Sequence, residues 1–327
     1  MSALVQRVTR SEYVGVWYAT AALFLASAIV APATVRGDAI RLMVPFAAIL
    51  SIAAIGQTLV IRQRGIDLSV AGVMSLSGIV TSKVAAEHHL AVVPAIAVTL
   101  LVCLLIGVVT GLIVTRLGIT PLVTTLAVNA LLLGAIQTYS GGVPIGAPAG
   151  LNRFALGAVL GIPNTALVAI AVVALVSAII GGTTFGRRFV AVGESPETAR
   201  VAAVAVLRYE VATYALAAVC FGIAGILLAG YVATAIPNAG DSYLLPVIAA
   251  VVVGGTPFTG GRGSVMATVV AAVFLSQLLA LVLALGAPSS TQFLVQSAAI
   301  AFATGFRHLK VPAALRRRRS IALDGAP

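Results

Sequence analysis

Long apolar runs, separated by short polar turns, fill most of this sequence from Val14 onward. The run Leu90–Thr115, for example, contains no charged residue, and a helix needs about 20 apolar residues to cross a bilayer. Only 9% of the 327 residues are charged and 60% are hydrophobic, whereas an ordinary soluble domain carries about 25% charged residues. Such a chain can cover a lipid-facing surface, which excludes a cytosolic enzyme, a DNA-binding domain and a disordered chain.

The apolar runs divide into ten candidate membrane spans. They are Val14–Ala33, Leu42–Ile61, Leu68–Ser82, Leu90–Thr115, Ile119–Tyr139, Asn164–Thr183, Val211–Val232, Tyr243–Gly255, Ser264–Leu285 and Ser290–Phe306. We therefore predict an all-α polytopic membrane protein with about ten transmembrane helices, forming a single transmembrane domain over residues 1–327. The third and eighth spans are short, and if both were re-entrant the chain would have eight spans. Short or interrupted spans also mark substrate paths in transporters.

Lysine and arginine are distributed unevenly between the two sides of these spans. With a cytoplasmic N-terminus, the outer side holds four of the 20 basic residues and the inner side holds the other 16. The four are Arg36, Arg41, Lys83 and Arg153. Because cytoplasmic loops carry the excess of Lys and Arg, we predict that both termini are cytoplasmic, with a basic tail over residues 307–327. An eight-span arrangement gives a weaker asymmetry, and the net charge of +11 indicates topology and not a nucleic-acid partner.

The longest inner loop, residues 186–208, contains a helix start signal. Ser195 can cap a helix, Pro196 suits its first position, and Glu197 suits its positive end. Small residues then follow at the spacing of one helix face: Ala199, Ala202, Ala203 and Val206. Such a face would fit a groove on another protein; alternatively, the segment is an amphipathic helix lying on the membrane surface.

The sequence contains no motif for nucleotide or metal chemistry. It has no G-x-x-x-x-G-K-[ST] loop, no H-E-x-x-H pair and no Cys/His cluster, so we expect no catalytic residue, no metal site and no ATP hydrolysis in this chain. Its acidic residues stand at or near span ends, which argues against a proton relay within the bilayer. Energy for uphill transport would therefore come from another protein, and the 186–208 loop is the obvious place for that protein to bind.

Mild polar side chains inside the spans are candidates for a translocation path. Gln57, Asn129 and Gln277 could hydrogen-bond a neutral polar solute. The alternative for each is a hydrogen bond between helices, which is the commoner use of such residues.

Two glycine-rich segments stand at the inner membrane edge. In Arg64–Gly72, either Asp67 or Ser69 can cap the third helix; in Gly254–Val265, Ser264 can cap the ninth. Both place Ser-Val at the start of a span. They are either simple caps and tight turns or the trace of an internal repeat.

Three segments of the chain resemble bacterial ABC-transporter permeases for monosaccharides. Arg64–Gly72 resembles their GIDLSVG signature, although position 71 is Ala where Gly is common. Phe185–Arg208 is similar to their cytoplasmic loop G-R…A-x-G-x-[NS]-x-x-A-A-R, with Glu194-Ser-Pro in place of the frequent Asn-containing turn. Val252–Val265 looks like their V-x-G-G-x-x-x-x-G-G-R-G-S segment. The order and spacing agree from about residue 40 to 306.

The resemblance implies the membrane permease subunit of an ABC importer in the bacterial plasma (inner) membrane, translocating a sugar or sugar-like solute. It implies cytoplasmic ATPase subunits that hold ATP and Mg, an extracytoplasmic sugar-binding protein, a second permease chain and a surrounding lipid bilayer. The implied ATPase-coupling residues are Gly193, Glu194, Ser195, Pro196, Ala199 and Arg200. The implied signature residues at the inner mouth are Gly65, Asp67, Ser69, Gly260, Gly261, Arg262 and Gly263. The alternatives are a branched-chain amino-acid or nucleoside permease of the same superfamily, and a secondary transporter that works alone.

Overall fold

A computed structural model describes residues 13–87 and 91–287, together with five single positions between 291 and 301. Helices dominate this part of the chain. The tenth predicted span, Ser290–Phe306, falls largely outside the described residues, and the basic tail 307–327 falls outside them entirely.

The described residues form twelve α-helices. They are α1 (Val14–Val30), α2 (Gly37–Arg62), α3 (Val70–Glu87), α4 (Val92–Arg116), α5 (Pro121–Ser140), α6 (Ala149–Leu156), α7 (Asn164–Gly182), α8 (Thr184–Glu194), α9 (Pro196–Val201), α10 (Val206–Val232), α11 (Asp241–Val253) and α12 (Val265–Ala284). A 3-10 helix, Pro32–Val35, joins α1 to α2. Four two-residue strands complete the set: β1 (Ile145–Gly146), β2 (Ala158–Val159), β3 (Ile162–Pro163) and β4 (Thr234–Ala235).

Six of the helices are long and apolar enough to cross a membrane: α2, α4, α5, α7, α10 and α12. Helices α1 and α11 are apolar but shorter. Every predicted span up to Ser264–Leu285 coincides with a helix, although α10 begins at Val206 and not at Val211. The chain is therefore a polytopic membrane protein. It is not purely α-helical, because β1 pairs antiparallel with β4, and β2 with β3.

Helices α2 and α10 lie at the centre of the bundle. In α2, 89% of the most apolar stretch is buried, and in α10 72%. In α4, α5 and α7 the corresponding values are 22%, 22% and 11%, so these helices turn apolar side chains outward, as lipid contact requires. Gly107 of α4 lets that helix approach α10 closely, because a Cβ there would overlap the carbonyl oxygen of Tyr214.

Helices α3 and α11 begin next to each other. Near the start of α3, Met74 packs against Gly225, which stands well beyond the midpoint of α10. Gly240, the residue before α11, packs against Ala71, and its N–H donates to Ser75 Oγ at 2.9 Å. The two shortest predicted spans therefore start side by side, with the start of α3 buried and Asp241 and Ser242 of α11 exposed.

The predicted helix face in the 186–208 loop is wrong. Helix α9 ends at Val201, and Ala203 has a φ of 56°, in the left-handed region. Val204 N–H donates back to the carbonyl oxygen of Ala199 at 2.9 Å, which closes a Schellman turn. Because the helix stops there, Ala199, Ala202, Ala203 and Val206 do not share one face.

Candidate functional site

The three motif segments meet at one place in the structure. They contribute the end of α2 (Arg62–Gly65), the end of α8 (Gly193–Glu194) and the turn Gly260–Gly263, which together we name the three-segment junction. Gly261 N–H donates to the carbonyl oxygen of Arg62 at 2.9 Å. A Cβ atom at Gly193 would lie 2.5 Å from the same oxygen. Two segments that are far apart in the chain thus contact the same carbonyl group of a third.

The end of α2 is a Schellman turn with an arginine at its left-handed position. Arg64 N–H donates to the carbonyl oxygen of Ile61 at 2.9 Å, and Gly65 N–H to that of Val60 at 3.1 Å. Arg64 has a φ of 65°, at a position where glycine is usual because other L-residues pay about 1 kcal/mol. An arginine retained in this conformation despite the cost indicates that its side chain makes a specific interaction.

The Arg64 guanidinium caps the end of α8. Its Nε donates to the carbonyl oxygen of Gly193 at 3.2 Å, and its Nη2 donates to that of Glu194. These are the last carbonyl groups of the helix, which form its partial negative end. Gly260, with a φ of 79°, lies on the other side of the Arg64 stem, where a Cβ would overlap Arg64 Cγ.

Glycines make this close packing possible. Gly261 has a φ of 76°, and its missing Cβ would lie 3.4 Å from Glu194 Cα. A Cβ at Gly263 would lie 2.9 Å from Arg62 Cγ and 2.8 Å from Thr256 Oγ1. Close approach therefore explains the glycines at 260 and 263, and left-handed backbone explains those at 260 and 261.

Arg62 is buried, with 7% of its surface exposed. Its guanidinium lies 5.4 Å from the ring centre of Phe189 in α8, within cation–π range. The neighbouring Gln63 donates through Nε2 to the carbonyl oxygen of Phe189 at 2.7 Å. In the sequence, Arg62 and Arg64 count as basic residues of the inner side and Arg64 opens the signature segment, but neither observation predicts these contacts; the one available signal was the position of Arg64 directly before Gly65.

Asp67 and Ser69 fold the buried chain that leads into α3. Asp67 Oδ1 accepts hydrogen bonds from Ser69 N–H at 2.9 Å and from Ser69 Oγ at 2.6 Å. The pair shapes the turn before Val70, where α3 begins. Beside it, Gly65 leaves room for the Tyr214 hydroxyl, which would lie 2.5 Å from a Cβ at that position.

Gln57 and Asn129 hold the same segment from two sides. With the Gln57 amide oriented to match donors to acceptors, its Nε2 donates to the Asp67 carbonyl oxygen and its Oε1 accepts from the Asp67 N–H, both at 3.1 Å. Asn129 Oδ1 accepts from Gly72 N–H at 2.8 Å. Gln277 lies apart from them and donates to Thr34 Oγ1 at 3.3 Å, while its Oε1 has no hydrogen-bond partner among the described residues.

A cavity of about 350 Å³ lies between α2, α3, α10, α11 and α12. Its wall is mostly apolar, and none of the described residues that line it is Asp, Glu, Lys or Arg. Its polar and aromatic groups include Phe46, Ser75, Ser242, Tyr243 and Ser276. Gln57, Asn129 and Gln277 do not line it, so the structure does not bring the three path candidates together around this space.

The 186–208 segment folds as two helices and a turn. Thr183 Oγ1 accepts from Gly186 N–H at 3.1 Å to cap α8. Ser195 Oγ accepts from Thr198 N–H at 3.2 Å to cap α9, with Pro196 in the first position, as the sequence predicts. Ser264 likewise caps α12 by accepting from Ala267 N–H at 3.3 Å.

The outward surface of this segment differs from the predicted one. Ala199 is only 3% exposed and packs against a cluster formed by Leu59, Phe189, Val192, Val206 and Tyr209. Val201 is 90% exposed, and Glu194, Glu197, Thr198 and Arg200 are also exposed. A partner that approached this loop would meet these side chains and not Ala199.

The structure is an apolar helical bundle around an uncharged cavity, with a closely packed polar junction at one end. These are the features of a multi-pass membrane permease. The chain belongs to the family described as "Branched-chain amino acid transport system / permease component", whose profile matches residues 40–304. This family makes the chain a transport subunit and not an enzyme.

Curated relatives share about a third of their residues with this chain. It is 33% identical to the ribose import permease protein of Bacillus subtilis (strain 168) over 261 residues, which cover 78% of this chain and 80% of that protein. It is 32% identical to the ribose import permease protein of Escherichia coli (strain K12), covering 77% and 80%. It is also 32% identical to the galactose/methyl galactoside import permease protein of the same strain, covering 79% and 83%. No solved structure matches the chain.

Proposed function

We propose that this chain is the membrane-spanning permease subunit of an ATP-driven ABC importer that carries a sugar or sugar-like solute. The observation that carries the proposal is the junction: the three segments that resemble sugar permeases pack onto one another in space. Similarity over more than three quarters of the chain to proteins named for ribose and galactose import supports the same function.

The uncharged cavity favours a neutral solute. A branched-chain amino acid, named in the family description, would bring an ammonium and a carboxylate into a space whose described lining offers neither charge a partner. Burying such charges unpaired is costly. A sugar could use the hydroxyls of Ser75, Ser242 and Ser276, and the aromatic groups of Phe46 and Tyr243. A nucleoside is also neutral and remains the alternative within this reading.

ATPase subunits would dock on the coupling residues Gly193, Glu194, Ser195, Pro196, Ala199 and Arg200, and would hold the ATP and Mg. Exposure of Glu194, Arg200 and their neighbour Val201 supports this role. Ala199 would act from below, by supporting the surface that the partner meets. A binding protein would deliver the solute from outside, and a second copy or a related permease chain would complete the pathway.

The proposed topology has ten spans, both termini cytoplasmic, and one transmembrane domain over residues 1–327 in the bacterial inner membrane. It is supported by the way basic residues group at the bundle ends. Gly111 packs against Val211, so Arg116 at the end of α4 and Arg208 at the start of α10 lie toward the same end of the bundle. At the opposite end of α10, Asn152 donates to the Gly230 carbonyl oxygen at 2.9 Å, beside Arg153.

The proposed path runs through the cavity. The path residues remain predictions: they are Gln57, Asn129 and Gln277. In this conformation Gln57 and Asn129 hold the start of α3, which forms one wall of the cavity. The side-chain oxygen of Gln277 has no hydrogen-bond partner among the described residues.

Uptake into proteoliposomes tests the function. The chain would be reconstituted with its ATPase and binding protein and supplied with labelled D-ribose, D-galactose, L-leucine or uridine. We expect uptake of a neutral sugar only when ATP and the binding protein are both present. If leucine were taken up and the sugars were not, the amino-acid alternative would be established. Uptake along an ion gradient by this chain without its partners would establish a secondary transporter.

A further inference from the structure

We infer that Arg64 is the positioning residue that transmits movement of the ATPase-coupling loop to α2, and through α2 to the wall of the cavity. The inference rests on the proposed function, because it names the element by which an ATPase would drive this permease.

Arg64 joins all three segments of the junction. Its backbone ends α2, its guanidinium donates to the Gly193 and Glu194 carbonyl oxygens of α8, and its stem lies against Gly260. The side chain is thus held between the coupling loop and the glycine-rich turn. A movement of the end of α8 toward or away from α2 must either carry Arg64 with it or break both hydrogen bonds.

The contact is made to backbone, and not to another side chain. The Glu194 side chain is exposed, while its backbone carbonyl oxygen accepts from Arg64. Because helix-end carbonyls cannot rotate away as a side chain can, the link is stiff along the α8 axis.

Helix α2 connects this link to the cavity. Phe46 and Leu50, in its first half, line the cavity, while its last residue, Arg62, belongs to the junction. The helix is continuous across that distance and mostly buried, so a displacement at one end is passed to the other. Helix α11 runs parallel to this route, from Ser242 and Tyr243 in the cavity wall to Gly254, which packs on the first turn of α12.

The left-handed backbone at Arg64 allows a variant that removes the side chain without disturbing the turn. Arg64→Gly removes the guanidinium but places glycine at a left-handed position where it is the favoured residue, so the turn itself is preserved. Arg64→Lys keeps the charge and stem but loses the fork that reaches two carbonyls at once. Arg187→Ala, an exposed arginine of α8, is the matched control for loss of charge near the loop.

The test measures solute transported per ATP hydrolysed in the complete reconstituted transporter, using the sugar taken up by the unmodified complex. We expect Arg64→Gly to assemble with the ATPase and hydrolyse ATP at the ordinary basal rate, but to lower the transport ratio at least about five-fold, within the usual range of coupling between sites. Arg64→Lys should recover part of the loss, and Arg187→Ala should keep the full ratio.

Hydrogen exchange on the purified chain reports the link without transport. Arg64→Gly should raise exchange at the α8–α9 amides at least about five-fold, because a local contact that limits opening is lost. An unchanged transport ratio in Arg64→Gly would overturn the inference while leaving the proposed function in place. Failure of that variant to bind the ATPase would also overturn it, since Arg64 would then serve docking. Absence of ATP-driven uptake by the unmodified complex would instead remove the proposed function, and this inference with it.

Discussion

The α-carbon of Gly193 faces the carbonyl oxygen of Arg62 so closely that a Cβ atom would lie 2.5 Å from it. That carbonyl also accepts the N–H of Gly261, so it cannot move aside without losing a hydrogen bond. The end of α8 is therefore seated on the end of α2 with no space for a side chain between them.

Gly193→Ala should weaken the fold even though alanine favours helices. Within a helix, the change would ordinarily stabilise by about 0.5–1 kcal/mol. Here we expect a net destabilisation of about 1–3 kcal/mol from overpacking, measured as a lower thermal midpoint of the purified chain. Gly181→Ala, in α7 where a Cβ meets nothing within 4 Å, is the control and should not lower the midpoint. Equal behaviour of the two variants would contradict the close contact.

Val201→Asp should separate ATPase docking from folding. Its side chain is 90% exposed, so we expect the thermal midpoint to stay within a degree or two, because surface changes cost about 0.5 kcal/mol or less. Binding of the ATPase subunit should fall at least about ten-fold, since a charge would enter the docked interface. Titration of the labelled ATPase measures the affinity.

The matched variant Ala199→Asp should behave in the opposite order. Ala199 is 3% exposed, so a carboxylate there would be buried against the Phe189 cluster, and we expect loss of folded protein. A well-folded Ala199→Asp chain with weakened ATPase binding would show that Ala199, and not Val201, faces the partner.

Asp67→Ala should destabilise the chain more than Asp67→Asn. The alanine variant leaves both the N–H and the hydroxyl of buried Ser69 without their acceptor, which costs about 1–3 kcal/mol for each buried group left unpaired. Asparagine retains one carbonyl oxygen and should lose less. Denaturation in detergent micelles gives the ranking, and equal destabilisation by the two variants would mean that the charge of Asp67, which both remove, matters more than its acceptor oxygen.

Filling the cavity should slow transport without affecting ATP hydrolysis. Ser276→Phe adds a ring to the wall of the roughly 350 Å³ space, and we expect sugar uptake to fall about ten-fold, since overpacking typically costs about 1–3 kcal/mol. Leu283→Phe, at an exposed position two turns farther along the same helix, should transport normally. If Ser276→Phe also transports normally, the path lies elsewhere.

Much of the helical framework was predictable because its signals are local. Apolar runs fix where helices form, and Ser195 and Ser264 begin α9 and α12 as their cap positions indicate. The end of α9 was not predictable in this way. Ala203 is a strong helix former in isolation, but here it adopts left-handed backbone so that Val206 can start α10 within the Phe189 cluster.

The junction could be predicted only in part. Each glycine-rich segment indicates a sharp turn, yet nothing in the spacing states that Gly261 would bond to Arg62 or that Arg64 would reach Gly193. These contacts join residues far apart in the chain, and their selection is a property of packing. The path candidates show the same limit. From the sequence, the Gln57 side chain is available to a solute, whereas in the fold its amide hydrogen-bonds the backbone of Asp67.

The unequal helix lengths make bilayer thickness a variable for this protein. Helices α5 and α7, with 20 and 19 residues, span about 30 Å and 28 Å, close to the roughly 30 Å of a hydrocarbon layer. Helix α10, with 27 residues, spans about 40 Å and is shielded from lipid by its neighbours. Its first residue, Val206, adjoins the loop that carries Val201. A thicker membrane would therefore bring hydrocarbon nearer to that loop, and lipid chain length should influence how readily a soluble partner reaches it.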